Sequence, residues 1–433
     1  MNGTWKKSIT TCGIIVSVAI GAMAFAGAPP EYTIVDLGII DPGDVGVQGL
    51  RVSEGGVAVG RTFGFSNQAF SWTQGGGLLP LPNLAPRPFA AANGANDNNI
   101  VVGTAAATFF GTNPLPVIWT NGVVAPLPLP VGETIGRAND VNASVTAVGS
   151  VDGGIAEQAV MYTGNAGGSA AVIDAVAIDG STMKTAFSIN DDGIVVGIGT
   201  DPNNAARNVG CVYNSNTDRL TEVGALPGAN GALCFHISNA GHVVGGSMQN
   251  QGASQPFIWT ETDGMTQIPL PPATSQGSAR GVNSDGWAVG TAGGAFAVPF
   301  LYDGTTTYAV QALIPVGSGW DLSMNTSSSA LGISEDGIIV GTGIFNGETR
   351  AYAAIPVDTA PPCPTDCAPD NGDGTFGNGE TNIDDLLAVI NSFGDPGGPC
   401  DSAPDNGDGT FGNNTVNIDD LLNVINNFGQ CPA

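Results

Sequence analysis

Charge is what this chain has least of: only 11% of its residues are charged, and its 11 Lys and Arg face 38 Asp and Glu. Lysine is nearly absent, with Lys184 alone after Lys6 and Lys7. So few cations cannot neutralise a phosphate backbone, which argues against nucleic acid and anionic lipid and favours divalent cations. Histidine is confined to His236 and His242, and no Cys-x2-Cys pair exists, so zinc is a poor fit. There is no G-x-S-x-G, H-E-x-x-H or P-loop, hence no strong catalytic motif. Long apolar runs are missing too. The longest, Gly13 to Phe25, is short of the ~20 residues that cross a bilayer.

What is present begins with that run. Lys6 and Lys7 precede it, small residues follow at Ala24, Ala26 and Ala28, and Pro29-Pro30 ends it. This is the pattern of a Sec-type signal peptide over residues 1–28, so the mature chain is expected to be secreted or held at the cell surface, with no membrane span. Six cysteines remain after Cys12 leaves. In an exported chain an even number suggests disulfides. Cys211 and Cys234 stand alone and are expected to pair. Cys363, Cys367, Cys400 and Cys431 leave three connectivities open.

One signature recurs: an apolar residue, a polar turn, two or three apolar residues, then Gly. It reads VSEGGVAVG to Gly60, NDNNIVVG to Gly103, VNASVTAVG to Gly149 and INDDGIVVG to Gly197. It continues as ISNAGHVVG to Gly245, VNSDGWAVG to Gly290 and ISEDGIIVG to Gly341. The seven units are spaced by 43, 46, 48, 48, 45 and 51 residues. A second apolar stretch follows each glycine (AFSW, VIW, VMY, CVY, FIW, FLY), then a turn and a third stretch such as LLPLPNL. Four short strands per unit at this period predict an all-β fold, a seven-bladed β-propeller over residues 29–356. The seventh unit stops without its fourth strand, and YTIVDLG at 32–38 supplies one at the other end. Pairing the two would close the ring and remove both exposed edges. Asp191-Asp192-Gly193, Ser284-Asp285-Gly286 and Glu335-Asp336-Gly337 read as hairpin turns rather than cation loops. Gln68-Ala69-Phe70, Gln255-Pro256-Phe257 and Val298-Pro299-Phe300 resemble the His-Ala-Phe of the HAF family of extracellular repeats, without the His. That resemblance implies an extracellular location and little about biochemical role.

Composition shifts after AAIPV. A Pro-rich linker, 357–366, leads to a module at 367–433 without Lys or Arg. Within it APDNGDGTFGNGETNIDDLLAVINSFG (368–394) recurs as APDNGDGTFGNNTVNIDDLLNVINNFG (403–429). Each copy predicts a polar loop and a short amphipathic helix, with Ile383, Leu386, Leu387, Ile390 and Phe393 on one face and Ile418, Leu421, Leu422, Ile425 and Phe428 repeating them. Too short to be stable alone, the two helices are expected to pack by these faces. Ca2+ needs clustered hard oxygens on a tight loop. Asp370, Asn371, Asp373, Asn382 and Asp385 offer them in the first copy, and Asp405, Asn406, Asp408, Asn417 and Asp420 in the second. Asp385 and Asp420 are expected to close each loop with a bidentate carboxylate. The region resembles type I dockerin modules, in a Cys-containing variant found on exported bacterial proteins. Asn371, Asp373, Asn382 and Asp385 match that pattern, as do Asn406, Asp408, Asn417 and Asp420. Pro369 and Pro404 stand at its first ligand position, where Asp370 and Asp405 are the expected substitutes, and five extra residues follow each loop Gly. The resemblance implies Ca2+-dependent anchoring to a cohesin-like protein or another cell-surface component.

Within the propeller, Arg51, Arg137, His236 and Arg280 fall at or just before the innermost strands. They are candidates for an axial site taking an anionic or hydroxyl-rich ligand, a glycan among them. The sequence therefore points to an exported, non-catalytic binding or scaffolding protein. The rival is a propeller carbohydrate-active enzyme, a glycosidase or lyase, acting in polysaccharide breakdown. A carboxylate pair or a Tyr/His/Arg cluster in the axial pocket would favour the rival.

Overall fold

The computed structural model describes residues 29–357 except 109–110, 153–156, 165–166 and 250–252, and then 365–368, 377–378, 380–396, 398, 400–403 and 412–430. The leader, most of the linker, the two loop centres (369–376 and 404–411), Cys363 and Cys431 lie outside the described residues.

Each signature is a hairpin between the first two strands of a unit. In the first unit Gly46–Val52 pairs with Ala58–Phe63, which pairs with Ala69–Thr73 and then Gly77–Pro80, all antiparallel. Units two to six each form a separate four-stranded sheet of this order. The first and last units are joined. Tyr32–Asp36 lies antiparallel along Glu348–Pro356, from Tyr32 opposite Pro356 to Asp36 opposite Tyr352. Gly46 also bridges to Thr349. The innermost strands, Gly46–Val52, Phe89–Ala95, Gly136–Val141, Thr182–Ile189, Gly231–Ile237, Gln276–Val282 and Ser329–Ile333, neighbour one another in order, and the first also neighbours the last. The long spacing before the seventh signature holds a 3-10 turn, Val310–Ala312, and a two-residue strand, Trp320–Asp321, whose indole stacks on Phe345 at 4.9 Å.

The core lies between successive sheets. Val57, Val59, Ala69 and Leu81 of unit one meet Ala92, Val101, Val117 and Trp119 of unit two, and the other units repeat this. Sheets buried on both faces read as near-continuous apolar runs, as the signatures do. The signature glycine has a steric cause. A Cβ there would sit 1.8–2.1 Å from the carbonyl oxygen of Gln48, Ala91, Arg137, Thr185, Leu233, Ser278 or Ser329, one in each of the seven units. In four units the third-strand aromatic (Phe70, Phe257, Phe300 or Tyr352) packs over the same glycine, which explains the Phe of the recurring second stretch.

Two expectations are corrected. Cys211 and Cys234 are not paired; both are buried free thiols. They belong to neighbouring sheets and separate core clusters, and the Cys211 thiol turns to the Val209 carbonyl at 3.7 Å. Burial pushes Cys211 up to about 12, so it is a small core residue with little thiolate character. The C-terminal helices also do not bury their whole apolar faces. In α1 (Ile383–Asn391) and α2 (Ile418–Asn426), Leu386, Val389, Leu421 and Val424 pack inward with Cys367 and Cys400. Ile383, Leu387, Ile390 and Phe393 stay exposed, and so do Ile418, Leu422, Ile425 and Phe428. An apolar face wider than the contact between two short helices cannot be covered by it.

Candidate functional sites

Each innermost strand carries an irregularity three residues before its Ser or Asn turn residue. This turns one side chain per unit toward the axis. Leu50, Asn93, Asn139, Phe187, Phe235, Arg280 and Leu331, with Arg51, line one axial cavity of about 220 Å3. The Arg280 guanidinium lies 3.8 Å over the Phe235 ring, and Phe235 meets Phe187 at 5.6 Å.

The next residue along each strand points deeper: Arg51, Gly94, Asp140, Ser188, His236, Gly281 and Gly332. Arg51 reaches across the axis, donating to the Phe187 carbonyl at 3.0 Å and standing 3.8 Å from the Asp140 carboxylate. Ser188 Oγ donates to Asp140 at 2.6 Å. Burial holds Asp140 above the usual carboxylate range, with Arg51 opposing. His236 Nδ1 accepts from Val282 N at 3.3 Å, and burial followed by the Arg51 charge holds its pKa well down, so the ring is neutral. These groups plug the channel.

Beyond the plug are the turns. Ser53, Asn96, Asn142, Asn190, Ser238, Asn283 and Ser334 each accept from a backbone N–H of their own turn, four residues on. The asparagines also donate to the next unit: Asn96 to the Asn142 carbonyl, Asn142 to that of Asn190, and Asn190 to that of Ser238. Glu54, Asp97, Asp191 and Glu335 surround this mouth above Asp140. Burial, then the charges of Asp191, Glu335, Asp97 and Asp140, raise Glu54 to about 7.

The four expected axial residues thus occupy three levels. Arg280 is in the axial ring and Arg51 and His236 are in the plug. Arg137 lies two residues earlier, in a cavity of about 560 Å3 with Arg61, Gln48, Phe89, Asn93 and Asn139. The sequence reading missed Arg61, which sits one residue after the first signature glycine, and the stitching asparagines. A Ser or Asn at the turn of all seven signatures (Ser53, Asn96, Asn142, Asn190, Ser238, Asn283 and Ser334) was the available signal.

In the C-terminal module, Asn382 and Asn417 are N-caps accepting from Asp384 N and Asp419 N, both at 2.8 Å. Asp385 and Asp420 are fully buried. One oxygen of Asp385 takes Cys367 N and Ala368 N, at 2.7 and 2.8 Å, and the other takes Asn382 N at 2.8 Å. Asp420 repeats this with Ser402, Ala403 and Asn417 at 2.7, 2.8 and 2.7 Å. Each carboxylate therefore ties the chain entering the loop to the helix start, a capping box extended by two bonds. Asp366 and Asp401 span the loop ends, accepting from Asn378 N at 2.9 Å and Asn413 N at 3.0 Å. A disulfide joins Cys367 to Cys400. Asp370, Asn371, Asp373, Asp405, Asn406 and Asp408 lie outside the described residues, and among the described ones no group of three acidic, His or Cys side chains is spaced to hold a metal. The described residues fit the frame of two oxygen-rich loops. Among them, no helix is long and apolar enough to cross a membrane.

Sequential four-stranded sheets around a shared axis define the class: this is a β-propeller protein. No protein-family model matches the chain, and no curated protein matches it. Among solved structures it is similar to virginiamycin B lyase from Staphylococcus aureus, at 11% identity and TM-score 0.47, covering 76% of this chain and 99% of that one. It is similar to YCF48 bound to D1 peptide, at 12% and 0.46 over 75% and 97%, and to an oligogalacturonate lyase in complex with manganese, at 12% and 0.47 over 77% and 95%.

Proposed function

We propose that this is an exported binding protein: a closed, seven-bladed propeller that presents a ligand surface and is anchored by a Ca2+-loaded, dockerin-like C-terminal module. The observation that carries anchoring is the pair of repeat-matched apolar stripes, Ile383, Leu387, Ile390 and Phe393 on α1 and Ile418, Leu422, Ile425 and Phe428 on α2, left exposed on both helices. Apolar patches of this kind mark interaction surfaces. The occupant that fits is a cohesin-like protein with an apolar docking face. The loop carboxylates Asp370, Asp373, Asp405 and Asp408, with Asn371 and Asn406, would hold the calcium. Asp385 and Asp420, with Asn382 and Asn417, would fasten the ends of each loop around it. Closure of the ring is supported by the strand Tyr32–Asp36 along the last unit and by Glu335 N donating to the Glu54 carbonyl at 2.9 Å.

The cavities on the side where the inner strands begin are lined by no Asp, Glu, Tyr or His, which suits binding rather than acid–base chemistry at that end. The opposite mouth gathers Glu54, Asp97, Asp140, Asp191, Glu335 and His236, and this carboxylate cluster is the observation that favours the second reading, a propeller carbohydrate-active enzyme. Calorimetric titration of the full chain with Ca2+ tests the anchor, followed by capture on cohesin-bearing cell envelopes. Calcium uptake, and capture lost in a Leu387→Asp, Leu422→Asp double variant, is expected. Absence of calcium uptake, or capture indifferent to that variant, would overturn the anchoring role.

A further inference from the structure

In an acid-rich chain an arginine without a carboxylate is out of place. Arg207, Arg219 and Arg350 follow expectation, each paired with acidic residues on the outside of the sheets. Arg61, Arg137 and Arg280 do not; nor does Arg87, whose guanidinium turns instead to the Asn113 carbonyl. Among the described residues none of the four makes an ion pair, and the propeller positions left undescribed hold no charged residue. Arg61, Arg137 and Arg280 open on the same end of the axis. Arg61 and Arg137 line the cavity of about 560 Å3, and Arg280 lines both the axial cavity and a third of about 520 Å3 beside Phe296. The first and axial cavities share Asn93 and Asn139; the axial and third share Arg280 and Leu331. The three make one trough across the propeller end.

The arginines are held without being neutralised. Arg61 Nε donates to the Gln48 amide oxygen at 3.0 Å, and Arg280 rests on Phe235. Both side chains keep solvent exposure, and partial burial lowers the pKa of each. Asn93 and Asn139 are fixed by donation to the Ala138 and Ala186 carbonyls, at 2.9 and 2.8 Å. The opposite mouth carries Glu54, Asp97, Asp191 and Glu335. The two ends of one axis thus have opposite sign.

We infer that this trough binds an acidic oligosaccharide, a uronate-bearing chain lying across the axis. The inference rests on the reading of the propeller as a binding module and names its ligand class. Guanidinium groups take carboxylates in bidentate fashion. Phe63 and Phe296 offer apolar faces for sugar rings, and the amides and hydroxyls of Gln48, Asn93, Gln276 and Ser278 suit sugar hydroxyls. The charges are few and spread one or two to a cavity, so the trough engages a few carboxylates of a chain rather than every one.

The test is calorimetry on the full chain at fixed calcium, with hexasaccharides of hyaluronate, polygalacturonate and alginate against neutral chitohexaose and cellohexaose. Binding of at least one acidic fragment is expected, weakened roughly tenfold by Arg61→Gln and again by Arg137→Gln. Arg219→Gln on the rim should leave it unchanged. Both trough residues are at the surface, so their variants fold, and unaltered circular dichroism checks this. Binding of neutral chains alone would overturn the inference and leave the binding-module reading standing. No binding to either set would remove both. Acidic binding indifferent to Arg61 and Arg137 would place the site elsewhere and also overturn it.

Discussion

At the scale of single residues, the seven signature glycines are set by space rather than by backbone conformation. Gly245 is the tightest, with a Cβ position 1.8 Å from the Leu233 carbonyl. Gly245→Ala must push the first two strands of that unit apart, and a loss of about 2–3 kcal/mol in urea unfolding is expected. Asn142 does two jobs: its Oδ1 accepts from Thr146 N at 2.9 Å and its Nδ2 donates to the Asn190 carbonyl at 3.1 Å. Asn142→Ala loses both, about 2 kcal/mol, while Asn142→Ser keeps the turn and loses only the stitch, about 1 kcal/mol. Equal losses from the two variants would show that the inter-unit bond contributes nothing. Glycine and turn were legible in the repeat because each recurs as a residue type. The stitch was not, because Ser and Asn serve the turn equally and only Asn has the second donor. The cysteines misled for a related reason: an even count in an exported chain is a statistical sign, and Cys211 and Cys234 face different core clusters.

The element scale is clearest in the C-terminal module. Helix start, N-cap and inward positions could be read from the repeat, but not the role of Asp385 and Asp420, whose partners are backbone N–H groups that no sequence pattern displays. Nor could the exposed stripes, since an amphipathic face says what is apolar and not how much of it a neighbour covers. The Cys367–Cys400 bond closes a loop of 33 residues. Replacing both cysteines by Ala is expected to cost the module about 3–4 kcal/mol, read as earlier loss of helical signal on heating. The module's outer ends also meet. Thr365 Oγ1 lies 2.7 Å from Thr381 Oγ1, and Thr381 pairs with Gly429. Two residues outward from this contact stand Cys363 and Cys431 in the sequence, so peptide mapping of the oxidised chain should find them linked. A free thiol at either position would refute that.

Across the whole molecule, the acidic mouth makes stability depend on pH. Glu54 has a folded pKa of about 7 against an ordinary value of 4.5. The unfolded chain releases this proton first as pH rises, so stability falls between about pH 4.5 and 7 and then levels. Because Glu54 is partly solvated, the drop is expected to be only about 1 kcal/mol. Glu54→Gln should flatten the step between pH 5 and 8 in thermal unfolding; a wild-type propeller equally stable at both values would contradict the assignment. The repeat made the overall architecture legible, since period and strand count recur seven times, whereas the trough and the opposite mouth depend on residues that differ from unit to unit and are gathered only by the ring.

The strand Tyr32–Asp36 also sets an order in time. It stands ahead of the first unit in the chain, yet its partners, Tyr352 to Pro356, end the last unit. Until those are made Tyr32, buried in the finished molecule, has no place to go, and the other units can assemble around an open gap. A chain cut short anywhere before Tyr352 would be left with an apolar strand at one end and an unpaired edge at the other. The last strand to arrive therefore acts as a check on completeness, separating finished molecules from truncated ones.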